Sequence, residues 1–396
     1  MKIKSIKQIK NLKGKRALVR VDYNLPINKG RLDFKEDLRI RASFETIRYL
    51  WKKDATIILI SHLGRPEKRE KSLSLAPIAK YLSKELLLKV NFMKDDLTKK
   101  NISKKIKPGI NLLENIRFYK EEESDSKEFA EKLAKLGDIF INEAFSVSHR
   151  NNASICCIQN FLPSYAGLHL EEEIKNLSRL LSKNIKKSNR PYIALMGGAK
   201  ISTKINLISS LLKSTDFVLL GGALISNILK LQGYSIGNTF VEKISKNVVE
   251  KICKNKKIIL PIDVVVGKKD EPQSACIVRL KDGKKLCKNN EGILDIGPET
   301  VLSFSKYIKS ASTLVWNGPV GYFENTAFAY GTFSLARLIA SRGKGKTYAV
   351  VGGGETISAL DITEMEEDVD WISTGGGAML AFLAGESMPG LKKIVK

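Results

Sequence analysis

An α/β fold built on parallel sheets is the class this sequence predicts, and three observations predict it. Short runs rich in Ile, Val and Leu alternate with amphipathic helical stretches along all 396 residues, the pattern of βαβ units. Polar groups or glycines close several of these runs just before the next helix begins. The chemistry of those closures changes near the middle of the chain, which divides it into two halves, each long enough for its own core.

The elements follow in order. The basic opening MKIKSIKQIKNLKGK has no continuous apolar stretch and meets a strand at Arg16, so it reads as part of the fold and not as a targeting segment. Arg16–Asn24 (RALVRVDYN), Thr56–Pro66 (TIILISHLGRP), Asn111–Phe118 (NLLENIRF) and Ile139–Arg150 (IFINEAFSVSHR) are apolar runs that end in charged or polar groups. Helical spacing covers Arg39–Lys52, Ala76–Leu87 and Ser126–Leu136. Leu170–Ser188 reads as one amphipathic helix, with Ile174, Leu177, Leu180 and Leu181 at i, i+3, i+6 and i+7, and is a natural connector between the halves. Beyond it the apolar runs end in glycine: IALMGGAK (193–200), FVLLGGA (217–223), LVWNGPVG (314–321), AVVGGGET (349–356) and WISTGGG (371–377). Helices are expected over Thr203–Leu212, Thr300–Lys309 and Ala329–Ile339. The division is therefore 1–170, a joining helix 171–188, 189–380, and a tail 381–396 after the Met388–Pro389–Gly390 turn; return of that tail to the N-terminal half is one of two options left open.

In open α/β sheets ligands bind beyond the carboxyl ends of the strands. The first half delivers Arg20, Asp22, Asn24, His62, Arg65, Arg117, His149 and Arg150 to such ends, and Arg39 opens the helix just downstream. Arginine suits carboxylates and phosphates because its planar fork donates two parallel hydrogen bonds and keeps its charge. Asp22 and Asn24, two apart in an extended run, share a side and can accept from hydroxyls. The implied ligand is a small hydroxylated anion. His62 has no recognisable carboxylate partner in sequence, so a hydrogen bond to the anion fits it better than base catalysis; a packing or positioning role is favoured for His149.

The second half offers bare amides. GGAKISTK sets Lys200 and Lys204 four apart, as on one face of a helix's first turns; GGGET adds Glu355 directly after its glycines. Helix N-termini and exposed amides bind phosphate, and Glu355 can hold Mg²⁺ directly or through water. The sequence has no G-x-x-x-x-G-K-[ST] and no G-x-G-x-x-G at a strand end, which excludes a Walker ATPase and a dinucleotide dehydrogenase of the usual pattern. One half for a small anion and one for a polyphosphate describe a kinase.

Composition narrows the reading. No apolar run approaches the roughly 20 residues that span a bilayer, and the chain reads as cytoplasmic. Five cysteines form no C-x-x-C pair; adjacent Cys156–Cys157 are expected as small apolar residues of a buried strand (ASICCI) and not as a redox switch. The net charge of +25 is spread along the chain without a basic tail or nucleic-acid motif, so it implies no specific nucleic-acid partner, although it would draw in anionic substrates.

The strings VRVDYNLP, DLRIRA, SHLGRP, LLENIRF, NEAFSVSHR, GGAKISTKI, LPIDVVV, DIGPET, WNGPVGYFE, FAYGT, VVGGGET and STGGGA, in this order, closely resemble phosphoglycerate kinases over essentially the whole chain. The resemblance implies two Rossmann-like parallel-sheet domains around a cleft, joined by a helix and closing on their substrates, in a monomer. It implies reversible in-line phosphoryl transfer between 1,3-bisphosphoglycerate and MgADP, giving 3-phosphoglycerate and MgATP. Carried onto matching positions, it assigns Asp22, Asn24, Arg39, His62, Leu63, Gly64, Arg65, Arg117 and Arg150 to the triose, and Arg39, Lys200 and Lys204 to catalysis. Gly222, Gly297, Asn317, Pro319 and Glu324 would shape the nucleoside site, with Gly353, Gly354, Glu355 and Thr356 at phosphate and Mg²⁺. Position 355 is usually Asp in that family, SHRNNAS (148–154) stands for a common A-H-R-A-H-A-S, and GGALISN is divergent. None of these removes a residue the chemistry requires, and an active enzyme is expected. A catalytically weakened nucleotide binder, a nucleic-acid binder and a kinase for another small acid are the alternatives.

Overall fold

A computed structural model of the chain describes residues 2–396 except 29, 30, 35, 36, 96, 98–101, 182–184 and 203. The chain forms two compact units, Met1–Lys175 with Glu386–Lys396, and Asn176–Gly385.

In the first unit the strands are β1 (Arg16–Arg20), β2 (Ile27–Asn28), β3 (Arg31–Leu32), β4 (Thr56–Ile60), β5 (Val90–Met93), β6 (Ile110–Leu113), β7 (Ile139–Asn142) and β8 (Ser164–Ala166). The helices are α1 (Leu38–Arg41), α2 (Phe44–Lys52), α3 (Ala76–Leu86), α4 (Lys120–Glu123), α5 (Lys127–Ala134) and α6 (Leu168–Ser178), the last passing into the second unit. A parallel sheet runs β5-β6-β4-β1-β7-β8, while β2 and β3 form a separate ribbon. Successive strand residues point to opposite faces. Val19, Ile57, Leu59 and Ile141 thus join Ile47, Leu50, Ile78 and Leu82 in one core layer. Leu18, Ile58, Ile60 and Phe140 join Phe129 and Leu133 in the other. Burial on both faces is why these strands are continuous apolar runs. The tail belongs to this unit: Lys2 N donates to Lys396 O at 2.8 Å, and Gly390 N to Ser148 O at 2.9 Å.

The second unit contains β9 (Tyr192–Met196), β10 (Phe217–Leu220), β11 (Ile258–Ile259), β12 (Asp263–Lys268), β13 (Glu271–Arg279), β14 (Gly292–Ile296), β15 (Thr313–Asn317), β16 (Tyr348–Gly352) and β17 (Trp371–Ser373). Its helices are α7 (Ile205–Ser214), α8 (Ser226–Leu231), α9 (Lys246–Cys253), α10 (Pro298–Ser310), α11 (Tyr330–Ala340), α12 (Gly354–Ile362) and α13 (Gly377–Ala384). The parallel sheet is ordered β11-β10-β9-β15-β16-β17, and β13-β12-β14 form a smaller antiparallel sheet. Ile193, Leu195, Leu314, Trp316 and Val351 pack with Phe304, Ile308, Leu335 and Ile339.

Each large sheet grows first to one side of its opening strand and then to the other. The order reverses at β1/β7 in the first unit and at β9/β15 in the second. The crevice at such a reversal, outside the carboxyl ends of the strands, is where ligands of open α/β sheets bind.

Four local expectations change. The helix expected over 39–52 breaks into α1 and α2, because the Ser43 hydroxyl donates to Ile40 O at 2.7 Å and meets the Tyr23 hydroxyl at 2.9 Å, competing with the helical ladder. The connector expected to Ser188 ends as α-helix at Ser178, continues in three-residue turns through Leu181, and re-forms as a 3₁₀ turn at Lys187–Asn189; residues 182–184 lie outside the described ones. Lys200 and Lys204 do not share a helical face. Helix α7 begins at Ile205, and ahead of it the Ser202 amide and hydroxyl bind the Glu242 carboxylate at 2.8 and 2.6 Å; Thr203 lies outside the described residues. Cys156 and Cys157 are not in a strand: Cys157 opens a 3₁₀ turn, both thiols are free and partly exposed, and burial followed by Asp125 pushes Cys156 up to about 11. Among the described residues no helix is long and apolar enough to cross a membrane.

Candidate active site

In the first unit the reversal point is built around Asp22, two residues past β1. Its carboxylate accepts from Arg39 Nη1 at 3.2 Å, from the Ser146 hydroxyl at 2.5 Å and from Asn24 N at 3.1 Å. Ser146 follows β7, so these bonds join the two strands flanking the reversal. Burial works against the charge of Asp22, but the guanidiniums of Arg39 and Arg20 and the bond from Ser146 favour it, and the carboxyl is held below its usual range. Asn24 Oδ1 accepts from Gly64 N at 2.8 Å, and Arg117 Nη1 donates to Gly64 O at 2.6 Å. Both Leu63 backbone groups are held by the buried Asn115 side chain, at 3.2 and 2.8 Å. The loop Leu63–Gly64 is therefore a fixed scaffold. Arg39 and Arg150 are partly exposed and Arg65 is exposed, the state expected of groups that meet a ligand from solvent.

His62 is 3 % exposed. Burial first, then the guanidiniums of Arg20, Arg117 and Arg150, hold its pKa well below the usual histidine range, against the pull of Asp22. The imidazole is neutral at pH 7. The carboxylate that sequence did not reveal is Asp22, whose Oδ1 lies 3.8 Å from His62 Nδ1. Arg20, read from sequence as an anion-binding end group, is instead 1 % exposed and has its donors turned inward. Half-buried His149 lies in the fields of Arg150 and Glu386, and burial lowers its pKa.

In the second unit the reversal point holds Lys204. Its ammonium donates to Gly197 O at 2.6 Å and to Asn317 O at 3.2 Å, the residues at the carboxyl ends of β9 and β15. A Cβ at Gly198 would stand 3.1 Å, and one at Gly318 2.6 Å, from Nζ, so glycine makes the room this ammonium occupies. Burial pushes Lys204 down to about 8, against the pull of the Glu355 carboxylate. Lys200 lies on the exposed loop ahead of it.

Asn317 and Thr356 organise the next strand end. Asn317 Nδ2 donates to Gly352 O at 2.7 Å, and the Thr356 hydroxyl accepts from Gly318 N at 2.7 Å. Gly353, with φ +103°, caps α12 in a conformation side chains avoid and leaves the first-turn amides clear; Gly354 and Glu355 are exposed there.

Beside this end lies a cavity of about 430 Å³, within the range of small-molecule sites. Its lining includes Gly222, Pro319, Glu324 and Glu355, but not Gly297. A Cβ on Gly297 would collide with the Asp263 carboxylate, which caps α10 by accepting from Glu299 N and Thr300 N at 3.0 and 2.7 Å. Gly297 thus makes room for a helix cap, and Gly292 is the glycine that lines the cavity on β14. Sequence reasoning missed Gly292, the exposed aromatic Phe240 and Asp295, whose carboxyl burial pushes up to about 7. It also missed Ser146 and Asn115. The signal for Gly292 was its place five residues before Gly297 in the same strand run; Phe240 and Ser146 carried none.

No group of three or more His, Cys, Asp or Glu suited to a metal occurs among the described residues. A lone exposed carboxylate at a helix N-terminus does fit Mg²⁺ that takes most of its ligands from water and nucleotide phosphates.

One unit carries guanidiniums and a neutral imidazole around a fixed loop, and the other an ammonium among bare amides beside a small-molecule cavity. Together they define a phosphotransferase with separate sites for a small anion and a polyphosphate. The chain belongs to the phosphoglycerate kinase family, whose model matches residues 6–386. It is 41% identical over 392 residues to the phosphoglycerate kinase of Wolbachia sp. subsp. Brugia malayi, covering 96% of each, and 41% identical over 392 residues to that of Dictyoglomus turgidum, again 96% of each. It resembles the solved phosphoglycerate kinase of Coxiella burnetii with a TM-score of 0.84, 36% identity and all of both chains covered. For that of Pyrococcus horikoshii the TM-score is 0.85 at 30% identity, over 99% of this chain and 98% of the other.

Proposed function

We propose that this chain performs the family's reaction, reversible phosphoryl transfer between 1,3-bisphosphoglycerate and MgADP, with the side chains described above. The observation that carries the reading is that the two sets of groups stand at the β1/β7 and β9/β15 reversals, the ligand positions of open α/β sheets.

Asp22 and Asn24 take the triose hydroxyl, while Arg39, Arg65, Arg117 and Arg150 take its anionic groups, with His62 donating as a neutral imidazole. Leu63 and Gly64 shape the wall through their backbone. Arg39, held by Asp22 and partly exposed, faces the charge that develops on the transferring group. Lys200 and Lys204 neutralise the transferring and nucleotide phosphates. Gly222, Pro319 and Glu324 form the nucleoside side, Asn317 and Thr356 hold the strand ends, and the amides of Gly353, Gly354 and Glu355 receive phosphate. Gly297 is excluded from this set, since it serves the α10 cap. Mg²⁺, when bound through the phosphates and Glu355, neutralises charge on the phosphate oxygens. In-line transfer needs positioning and charge stabilisation and no covalent nucleophile, in keeping with the orientation of His62 by Arg20 and with Lys204 as a charge donor. A monomer acting in the cytoplasm is part of the same proposal.

Turnover tests it: 3-phosphoglycerate and MgATP, assayed beside a panel of other small hydroxy acids. Steady conversion of 3-phosphoglycerate alone supports the proposal. Binding of nucleotide without turnover, or preference for another acid, would sink it.

A further inference from the structure

Arg20 has an unusual placement for a group at the end of a strand beside an anion site. It is buried to 1 % exposure, and its donors face the protein: Nε to the Ser154 hydroxyl at 2.9 Å, Nη1 to Val21 O at 2.5 Å and Nη2 to His62 Nδ1 at 3.2 Å. Ser154 in turn donates its hydroxyl to Glu122 Oε1 at 2.6 Å and its amide to Oε2 at 2.9 Å. Glu122, Ser154, Arg20 and His62 form one chain of contacts from the interior to the ring. Buried opposite charges joined only through Ser154 are a weak source of stability, because desolvation offsets their attraction, so their presence calls for another use.

A guanidinium donates and cannot accept. The ring nitrogen that faces it must accept, and in a neutral imidazole the proton is then on the other nitrogen. We propose that Arg20 is a positioning residue that, through this bond to Nδ1, fixes His62 as the Nε2–H tautomer, the form able to donate to a bound triose anion. The inference rests on the reading of this unit as the triose site and deepens it. His62 Nε2 makes no hydrogen bond to a described residue, so its proton is available.

The charged groups facing the ring are Asp22, Arg20, Arg117 and Arg150. Asp22 is the competitor. Its Oδ1 is 3.8 Å from Nδ1, and without Arg20 it would accept a proton carried on Nδ1. The ring would then either turn to the Nδ1–H tautomer, leaving Nε2 an acceptor that repels the anion, or take a second proton. Burial and the three guanidiniums disfavour the charged ring, in support of the neutral donor.

The test is nuclear magnetic resonance of the full chain labelled with ¹⁵N-histidine. Three histidines give three ring systems, and the His62→Gln variant identifies the relevant one. Long-range ¹H–¹⁵N correlation from pH 6 to 9 should show the Nε2–H tautomer of His62 throughout, without titration. In Arg20→Gln the ring should move to Nδ1–H or acquire a midpoint within that range. The KM for 3-phosphoglycerate should rise roughly tenfold or more, the value of a hydrogen bond to a charged group, with the KM for ATP unchanged. Arg20→Lys, which keeps the charge but cannot hold Ser154 and Nδ1 in one plane, should recover part of the loss. A wild-type ring carrying Nδ1–H, or charged at pH 7, overturns the proposal, and this holds even where Arg20→Gln fails to fold. An unchanged tautomer in Arg20→Gln overturns it too. The tautomer is read in the free protein, so the result stands apart from whether 3-phosphoglycerate is the substrate.

Discussion

Replacing Lys204 by Met keeps an unbranched apolar stem in the same space and removes only the ammonium. In the folded chain that group falls from 10.5 to about 8, chiefly through burial. At about 1.4 kcal/mol per pH unit, keeping it charged costs about 3 kcal/mol, an upper value because the residue is partly exposed. Against this, the variant loses the bonds to Gly197 O and Asn317 O, at about 1 kcal/mol each, although Asn317 O still accepts from Gly197 N at 3.0 Å. Below pH 8 the two effects leave the variant more stable by about 1 kcal/mol, or a few degrees in Tm. Between about pH 8 and 10.5 the unfolded chain holds this proton and the folded chain does not, so wild-type stability gains with rising pH. At pH 10 the wild type has its hydrogen bonds without the charge, and the variant becomes the less stable one. The difference in Tm between variant and wild type should therefore change sign, and titration of other groups cancels in that difference. Thermal unfolding by circular dichroism from pH 6.5 to 10 reads it directly. At pH 7 the same variant should lose roughly 10²–10³ in kcat, as for a removed transition-state donor. A Tm difference that stays constant across that range would show that Lys204 carries no burial cost, and unchanged kcat would move the phosphate role elsewhere.

Other expectations follow the same geometry. Arg39→Ala should lower kcat by roughly 10²–10³ while leaving the circular dichroism spectrum as it is, since among the described residues the Arg39 side chain bonds only to Asp22 and Asn24 O; near-normal turnover would remove Arg39 from catalysis. Gly297→Ala should destabilise by about 1–3 kcal/mol through collision with the Asp263 carboxylate yet keep the nucleotide Kd of the folded protein, whereas Gly292→Val should raise that Kd with less effect on Tm. Calorimetric titration with ADP tells the two glycines apart, and a reversed result would restore Gly297 to the site. Glu355→Gln should weaken ADP binding roughly tenfold in the presence of Mg²⁺ and little in its absence; equal loss in both conditions would argue against a metal role.

The fold was legible because its signals are local. Val19 and Leu18 face opposite core layers, so a strand buried on both sides must be apolar at every position, and that is visible as a continuous run. The divided chemistry of the strand ends was equally visible, since Asp22 and His62 follow β1 and β4 at once and Lys204 stands in the loop between β9 and α7. What failed was any statement that needed a distant partner. Arg20 looked like an anion ligand until Val21 O, His62 and Ser154, the last held by Glu122 and more than a hundred residues away, took its donors. Gly297 looked like part of a nucleotide loop until Asp263 filled the space above it. The spacing of Lys200 and Lys204 suggested a shared helical face, but α7 begins only at Ile205, and Glu242 holds Ser202 ahead of it.

By itself, then, the order of apolar runs and their terminal residues determined two parallel α/β units and which kind of ligand each can meet, because backbone periodicity and side-chain chemistry are properties of short segments. Only the tertiary structure decided which guanidiniums face outward, which nitrogen of His62 is the donor, and how far burial lowers the basicity of Lys204. Those depend on electric fields and hydrogen bonds between residues that the chain brings together from far apart, and no short segment contains both members of such a pair.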